Sequence, residues 1–284
     1  MNEQGRMKPN SVAVPEWLER LREKRRDGSH LFTSGITGMD QCLGRLRRGT
    51  LNIVASRPSM GKTAFLLHMA MQQAKQGIKT YFFSLETNVD DLLNRCAAIE
   101  LPIPLMDITE GRITDEEMAQ VEALAPDFIS LPVLWSESTD IKRILKEMLG
   151  DIEKGSRSCI FLDYIQLVGL SGFDHTDQYH IVSMVVRELK KAAMGMGVPI
   201  IAAAQLNRAI EQRKDKTPVL SDLADSGELE KTADILLALN RPGFHDLTRH
   251  DEVMQVVCLK NRTGPRVNFQ LGWDGERSRI YAED

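Results

Sequence analysis

One stretch of the chain combines residue types and a spacing that suit phosphate binding. It reads Ser56-Arg57-Pro58-Ser59-Met60-Gly61-Lys62-Thr63. In the pattern G-x-x-x-x-G-K-[ST], backbone N–H groups at a helix N-terminus face the phosphates, the lysine reaches the outer phosphates and the hydroxyl coordinates magnesium. Ser56 stands in the first position instead of glycine, so the match is imperfect. The stretch predicts a nucleotide site, and a chance Gly-Lys-Thr in a structural strand–helix turn is the alternative.

The elements on either side of this loop favour the nucleotide site. The apolar run Leu51–Ala55 precedes the loop and predicts a strand. A segment from Lys62 to about Lys75 follows and predicts an amphipathic helix, which Gly77 closes. Strand, tight turn and helix form the context in which the phosphate-binding pattern works.

Three polar residues end or directly follow other predicted strands. They are Glu86 after Lys79–Leu85, Asp163 after Ser158–Leu162, and Gln205 after Val198–Ala204. Ligands of open α/β sheets lie beyond the carboxyl ends of the strands, so these side chains are predicted to face the phosphate loop.

Each of the three residues has a chemical role that fits phosphoryl transfer. A carboxylate that closes an apolar strand needs a partner or a metal, which suits Asp163 to orient magnesium together with Thr63. Glu86 is suited to activate the attacking water, and Gln205 to contact a γ-phosphate. Taken singly, Asp163 could instead cap a turn, Glu86 could be a solvated surface residue, and Gln205 would mean little.

The order of the predicted elements indicates the fold class. Strands alternate with helices as far as residue 239, and three strands then form a meander: Val253–Leu259, Arg266–Leu271 and Arg277–Tyr281. This order predicts an α/β fold with a mainly parallel twisted sheet flanked by helices and an antiparallel C-terminal extension. We expect a flexible arm over 1–14, a helix from Pro15 to Arg26 within 15–30, and one domain over 31–284. Residues 207–230 are expected to be a charged loop.

Composition narrows the class of protein. No run approaches the about 18 apolar residues of a membrane-spanning helix, and the N-terminus lacks the apolar core of a secretory signal, so a cytoplasmic protein is expected. The four scattered cysteines favour free thiols. The net charge of −4 gives no general nucleic-acid signal. A local basic loop, with Arg208, Arg213, Lys214 and Lys216, would either meet phosphates or keep the loop soluble.

Six blocks resemble, in order and spacing, the RecA-like motor domain of the DnaB-type replicative DNA helicases. The resemblance covers roughly residues 16–284. The blocks are Ala55–Thr63, Phe83–Glu86, Leu162–Leu167, Gln205–Arg208, Ser221–Leu223 with Ser226-Gly227, and Lys260–Gly264.

This resemblance implies a function and residue roles. It implies a hexameric ring that hydrolyses ATP with Mg²⁺ between subunits and moves 5′→3′ on single-stranded DNA during replication. By the same resemblance Ser56–Thr63 bind ATP, Thr63 and Asp163 hold magnesium, Glu86 is the catalytic base and Gln205 senses the γ-phosphate. Lys260 and Arg262, by composition alone solvated turn residues, match a pair that reaches into the neighbouring subunit's site. Residues 15–26 match a linker helix that packs on an adjacent protomer. For DNA contact we expect Arg208, Arg213, Lys214, Asp225 and Gly227.

The chain also departs from the family pattern. Ser56 replaces a usual alanine, and Ala224 stands where an arginine commonly contacts DNA phosphate, which weakens the case for normal DNA gripping. The family's N-terminal collar, which recruits primase, is expected to be absent, so primase is not an expected partner, whereas a helicase loader is. These departures leave open a non-unwinding ATP-binding relative that joins or regulates a helicase ring. A recombinase-like or clock-type ATPase is a third candidate.

Overall fold

A nine-stranded sheet forms the centre of the protein. The computed structural model describes residues 9–27, 31–154, 156–169, 178–223, 227–245 and 253–282. The strands of the described residues are β1 (Leu31–Phe32), β2 (Leu46–Arg47), β3 (Leu51–Ser56), β4 (Lys79–Ser84), β5 (Val133–Ser136), β6 (Ser158–Asp163), β7 (Ile200–Gln205), β8 (Ile235–Asn240), β9 (Val253–Asn261), β10 (Phe269–Asp274) and β11 (Arg279–Tyr281). The sheet order is β11-β10-β9-β8-β3-β7-β6-β4-β5, and β1 and β2 form a separate antiparallel pair.

The six strands from β8 to β5 are parallel, and β9, β10 and β11 extend the sheet in antiparallel fashion. Every residue of β3, β6 and β8 is buried, as expected for strands covered on both faces. The predicted fold class is confirmed.

Helices cover both faces of the sheet. The helices of the described residues are α1 (Asn10–Asp27), α2 (Thr37–Leu43), α3 (Lys62–Lys75), α4 (Val89–Glu100), α5 (Leu105–Glu110), α6 (Asp115–Ser130), α7 (Ile141–Asp151), α8 (Gln178–Met196), α9 (Gly227–Thr232) and α10 (Pro242–His245). Helices α7, α8 and α9 bury apolar side chains in a core on one face, and α2, α3 and α4 do so on the other. Alternate residues of β3, such as Ile53 and Val54, enter the two cores. No described helix is long and apolar enough to cross a bilayer.

Helix α1 begins earlier than expected. It starts at Asn10, inside the predicted arm, and continues through Pro15. The carbonyl of Pro9 accepts hydrogen bonds from the N–H groups of Val12 (2.9 Å) and Ala13 (3.0 Å), so the first turn forms ahead of Pro15. Val14 thereby joins Trp17, Leu18 and Leu21 at helical spacing, and all four side chains are exposed.

The predicted loop 207–230 contains regular structure. Two short 3₁₀ helices, Arg208–Gln212 and Leu220–Asp222, and the helix α9 interrupt it. The prediction of a continuous loop was wrong because α9 is held by tertiary contacts: Leu229 is fully buried and Glu228 pairs with Arg187 of α8 at 2.8 Å. Asp225 and Ala224, singled out from the sequence, lie outside the described residues.

Candidate nucleotide-binding site

The phosphate loop joins the central strand β3 to the N-terminus of α3. Gly61 is the N-cap of α3, with φ 92° and ψ 22°, and Ser59 also has a positive φ of 64°. A left-handed conformation is costly for residues with a Cβ, which accounts for glycine at position 61. A Cβ on Gly61 would also lie 2.8 Å from both Met254 Cε and Trp273 Cζ3. The loop therefore rests directly on side chains of β9 and β10.

Thr63 and Asp163 meet at the base of the loop. The Thr63 hydroxyl donates to Asp163 Oδ2 at 2.6 Å. Asp163 is only 1% exposed, and its Oδ1 is buried without a hydrogen-bond partner among the described residues. Burial raises the pKa of Asp163, whereas the bond from Thr63 and the charge of Lys62 oppose that rise. A hydroxyl and a carboxylate with a free oxygen are the hard ligands that Mg²⁺ prefers, so these two residues fit a magnesium ion.

Lys62 points into the same cleft. Its ammonium lies 4.7 Å from the centre of the Tyr164 ring. Burial lowers the pKa of Lys62, and the neighbouring carboxylates of Asp163 and Glu86 counteract this effect. A partly desolvated ammonium beside the helix N-terminus suits the lysine to bind the charged end of a polyphosphate.

Glu86 and Gln205 line the same cleft, which has a volume of about 470 Å³. Glu86 is exposed, just ahead of Asn88, whose side chain caps α4 by accepting from Asp91 N at 2.8 Å. The backbone of Gln205 is held by Gln166, which accepts from Gln205 N at 3.1 Å and donates to Gln205 O at 3.3 Å. The structure thus brings together the phosphate loop and the three residues at the strand ends.

Several residues of the cleft were missed from the sequence. They are Arg95, Tyr164, Arg241, Trp273 and Ser278. Arg241 Nη1 donates to Ser59 O at 3.1 Å, and the guanidinium lies 4.5 Å from the Trp273 ring centre. Burial lowers the pKa of Arg241. Because Arg241 directly follows β8, the strand-end reasoning used for Glu86 would have found it, whereas no sequence signal points to Trp273.

Lys260 and Arg262 lie at the opposite edge of the sheet from the cleft, that is, where the parallel strands begin and not where they end. Strand β9 runs antiparallel to β8, so Asn261 pairs with Ile235 at the start of β8. That level corresponds to the start of β3, whereas the phosphate loop follows its end. Ile235 pairs with Asn52, and the four residue steps from Asn52 to Ser56 separate the two levels by about 13 Å at about 3.3 Å per residue. The pair therefore does not reach its own protomer's cleft.

Four of the residues predicted to contact DNA are described in the structure, and they do not share one environment. Arg208 and Lys214 are exposed, and Gly227 begins α9. Arg213 instead bonds internally, to Asp222 Oδ2 at 2.7 Å and Thr217 O at 2.9 Å. None of these four residues lines the nucleotide cleft.

The chain is similar in sequence to known proteins. The sequence model of the DnaB-like helicase C-terminal domain matches residues 32–282. The replicative DNA helicase DnaC of Bacillus subtilis is 32% identical over 93% of this chain and 59% of its own length. The replicative DNA helicase DnaB of Helicobacter pylori is 32% identical over 94% of this chain and 58% of its own length.

The fold is also similar to those of solved structures. One solved ATPase domain superimposes with a TM-score of 0.88 at 26% identity, covering 98% of this chain and all of that one. A DnaB-like replicative helicase, described with its interactions with primase, superimposes with a TM-score of 0.83 at 27% identity, covering all of this chain and 68% of that one. This chain spans less than two thirds of the length of the curated relatives named above. The chain belongs to the DnaB-like helicase C-terminal domain family.

Proposed function

We propose that the protein is the motor of a replicative DNA helicase, which hydrolyses ATP at subunit interfaces of a hexameric ring and moves 5′→3′ on single-stranded DNA. The observation that carries this proposal is the division of the functional residues between the two edges of the sheet. The phosphate loop, Glu86, Asp163 and Gln205 lie at one edge, and Lys260 and Arg262 lie at the other. A site that uses both sets needs two protomers.

The residues at the carboxyl edge bind ATP and start the reaction. Backbone N–H groups of the loop Ser56–Thr63 and the Lys62 ammonium bind the phosphates. Thr63 and Asp163 would hold Mg²⁺, which neutralises charge that develops on the transferred phosphoryl group. Glu86 accepts the proton of the attacking water. Gln205, fixed by Gln166, contacts the γ-phosphate and transmits its presence to the loop that follows β7.

Lys260 and Arg262 complete the site of the neighbouring protomer. A guanidinium placed against the transferring phosphoryl group stabilises charge only in the transition state, which raises kcat by about 10³-fold or more. In the single chain both side chains rest on carbonyls at the end of α9: Lys260 Nζ bonds Glu230 O at 2.5 Å, and Arg262 Nη2 bonds Lys231 O. In this proposal the neighbour's nucleotide draws them away.

The exposed apolar stripe of α1 supports assembly. Val14, Trp17, Leu18 and Leu21 are between 38% and 53% exposed, which is a large apolar surface for a helix in water. We assign this stripe to contact with an adjacent protomer. Arg208 and Lys214, exposed on the loop after β7, together with Gly227 and Asp225, are proposed to face DNA in the ring.

ATP hydrolysis with and without single-stranded DNA tests the proposal, with ring formation followed by mass measurement in an ATP analogue. We expect DNA-stimulated hydrolysis that disappears in Lys62→Ala and in Glu86→Gln. Lys146→Ala and Glu122→Gln change exposed residues on α7 and α6 and serve as matched controls that keep activity. Absence of hydrolysis at every protein concentration would refute the motor. Nucleotide binding without separation of a forked duplex would identify a regulatory relative instead.

A further inference from the structure

We propose that Asp234 is the positioning residue for Arg262, the arginine assigned above to the neighbouring site. The inference rests on the proposed function, because it concerns how that arginine is presented. Asp234 immediately precedes β8, is only 8% exposed and carries a charge that the nucleotide chemistry does not use. A buried carboxylate is costly unless it is paired, so its partners indicate its role.

Asp234 is anchored to the first residue of the central strand. Its N–H donates to Leu51 O at 2.8 Å, and its Oδ2 accepts from Leu51 N at 2.8 Å. Lys190 of α8 donates to the same Oδ2 at 2.7 Å and to Gly49 O at 2.9 Å. These contacts fix the carboxylate to β3 and α8 at once.

Asp234 also holds Arg262 at two points. Arg262 N donates to Asp234 O at 2.9 Å, and Arg262 Nη1 lies 3.8 Å from Asp234 Oδ1. The side chain of Arg262 is 45% exposed, so an ion pair at this distance contributes little to the stability of the fold. Its effect is to restrict where the guanidinium points, which matters because a misplacement of about 1 Å costs a catalytic group about 100-fold in rate.

The anchor links the two half-sites of one protomer. Asp234 binds the start of β3, and the phosphate loop follows the end of the same strand at Ser56. A fully buried strand bonded on both sides acts as a rigid spacer between them. Asp234 therefore sets the position of Arg262 relative to the loop that binds its own protomer's ATP.

Asp234→Asn tests this role, because an amide oxygen still accepts from Leu51 N while the charge facing Arg262 is lost. We expect kcat to fall at least about tenfold, with KM for ATP, affinity for an ATP analogue and ring mass unchanged within twofold. In an Arg262→Ala background the same substitution should cause no further loss. Asp151→Asn is the control: it removes an Asp–Lys pair of 2.8 Å with Lys79, at the same edge of the sheet but away from Arg262.

Rings that mix two variants distinguish a defect in the placement of Arg262 from a general structural defect. Asp234→Asn subunits keep a complete phosphate site, and Glu86→Gln subunits keep Arg262, so mixing the two should restore hydrolysis. Arg262→Ala with Glu86→Gln is the positive control, and Lys62→Ala with Glu86→Gln is the negative control. If Asp234→Asn unfolds the chain, Asp234→Glu replaces it: the added methylene displaces the carboxylate from Arg262, so the same fall in kcat is expected, and an unchanged kcat would overturn the inference.

The outcomes are distinct. If hydrolysis recovers when Glu86→Gln is mixed with Arg262→Ala but not when it is mixed with Asp234→Asn, the role of Asp234 is overturned and the proposed function is left intact. If hydrolysis does not recover when Glu86→Gln is mixed with Arg262→Ala, the action of Arg262 in a neighbouring site is refuted, and so is the role of Asp234. An unchanged kcat in Asp234→Asn would also overturn the inference.

Discussion

Replacement of Gly61 by alanine tests how the phosphate loop is supported. Gly61 has φ 92°, and a Cβ there would lie 2.8 Å from Met254 Cε and 2.8 Å from Trp273 Cζ3. Met254 is fully buried and Trp273 is 5% exposed, so neither side chain has solvent into which it can move. Gly61→Ala therefore adds both backbone strain and a steric conflict.

The two costs can be separated with a second glycine. The left-handed backbone costs a residue with a Cβ about 1–2 kcal/mol, and overpacking a closed core costs about 1–3 kcal/mol. Gly61→Ala should thus lower the free energy of unfolding by about 2–5 kcal/mol. Gly77, with φ 71°, has no atom within 4 Å of its Cβ position, so Gly77→Ala should cost only the about 1–2 kcal/mol of strain.

Urea unfolding without nucleotide measures both variants, so that any effect on ATP binding does not enter. The free energy of unfolding of Gly61→Ala should fall below that of Gly77→Ala by about 1–3 kcal/mol. Equal values for the two variants would refute the packing of Trp273 and Met254 beneath the loop.

Three further predictions concern other parts of the chain. Gln166→Leu removes both bonds that hold the Gln205 backbone, so kcat should fall roughly tenfold with KM for ATP little changed, in steady-state hydrolysis assays. Hydrogen bonds from Arg187 and Thr232 lower the pKa of Glu228 from 4.5 to about 2, so its stabilising effect is complete above about pH 4.5 and is lost as the pH falls toward 2. Glu228→Gln should be less stable than wild type at pH 7, and the difference should close across that window in urea titrations; a constant difference would contradict the pairing. Burial raises the pKa of Cys96 to about 12, so iodoacetamide near pH 8 should leave it unmodified in the native protein and modify it in urea, as read by mass spectrometry of its peptide.

Local sequence signals predicted the parts of the fold that short-range physics determines. The apolar runs predicted the parallel strands. Side chains close in sequence also fix the starts of two helices: Asn88 caps α4, and Thr114 and Glu117 form the capping box of α6. The strand-end rule brought Glu86, Asp163 and Gln205 to one cleft, because the carboxyl ends of parallel strands share an edge.

Long-range contacts account for what the sequence did not predict. Helix α9 has a single buried apolar residue, Leu229, so no apolar periodicity in the sequence indicates a helix there. Trp273 supports the phosphate loop from β10, more than 200 residues along the chain, and only the packed sheet brings the two together. The location of Arg262 could likewise not be predicted from local sequence, because it depends on the antiparallel register of β9 against β8.

The placement of the two half-sites at opposite edges of one sheet restricts how copies can associate. A two-fold symmetric pair would have to hold both sets of residues in one reciprocal interface, and it would close on itself at two copies. A heterologous, head-to-tail contact instead places the Lys260–Arg262 edge of one copy against the phosphate loop of the next and leaves a surface of each kind free for further copies. Repeated around the proposed ring, that contact would give every interface the same orientation, so the ring would have a polarity that no separate element needs to define.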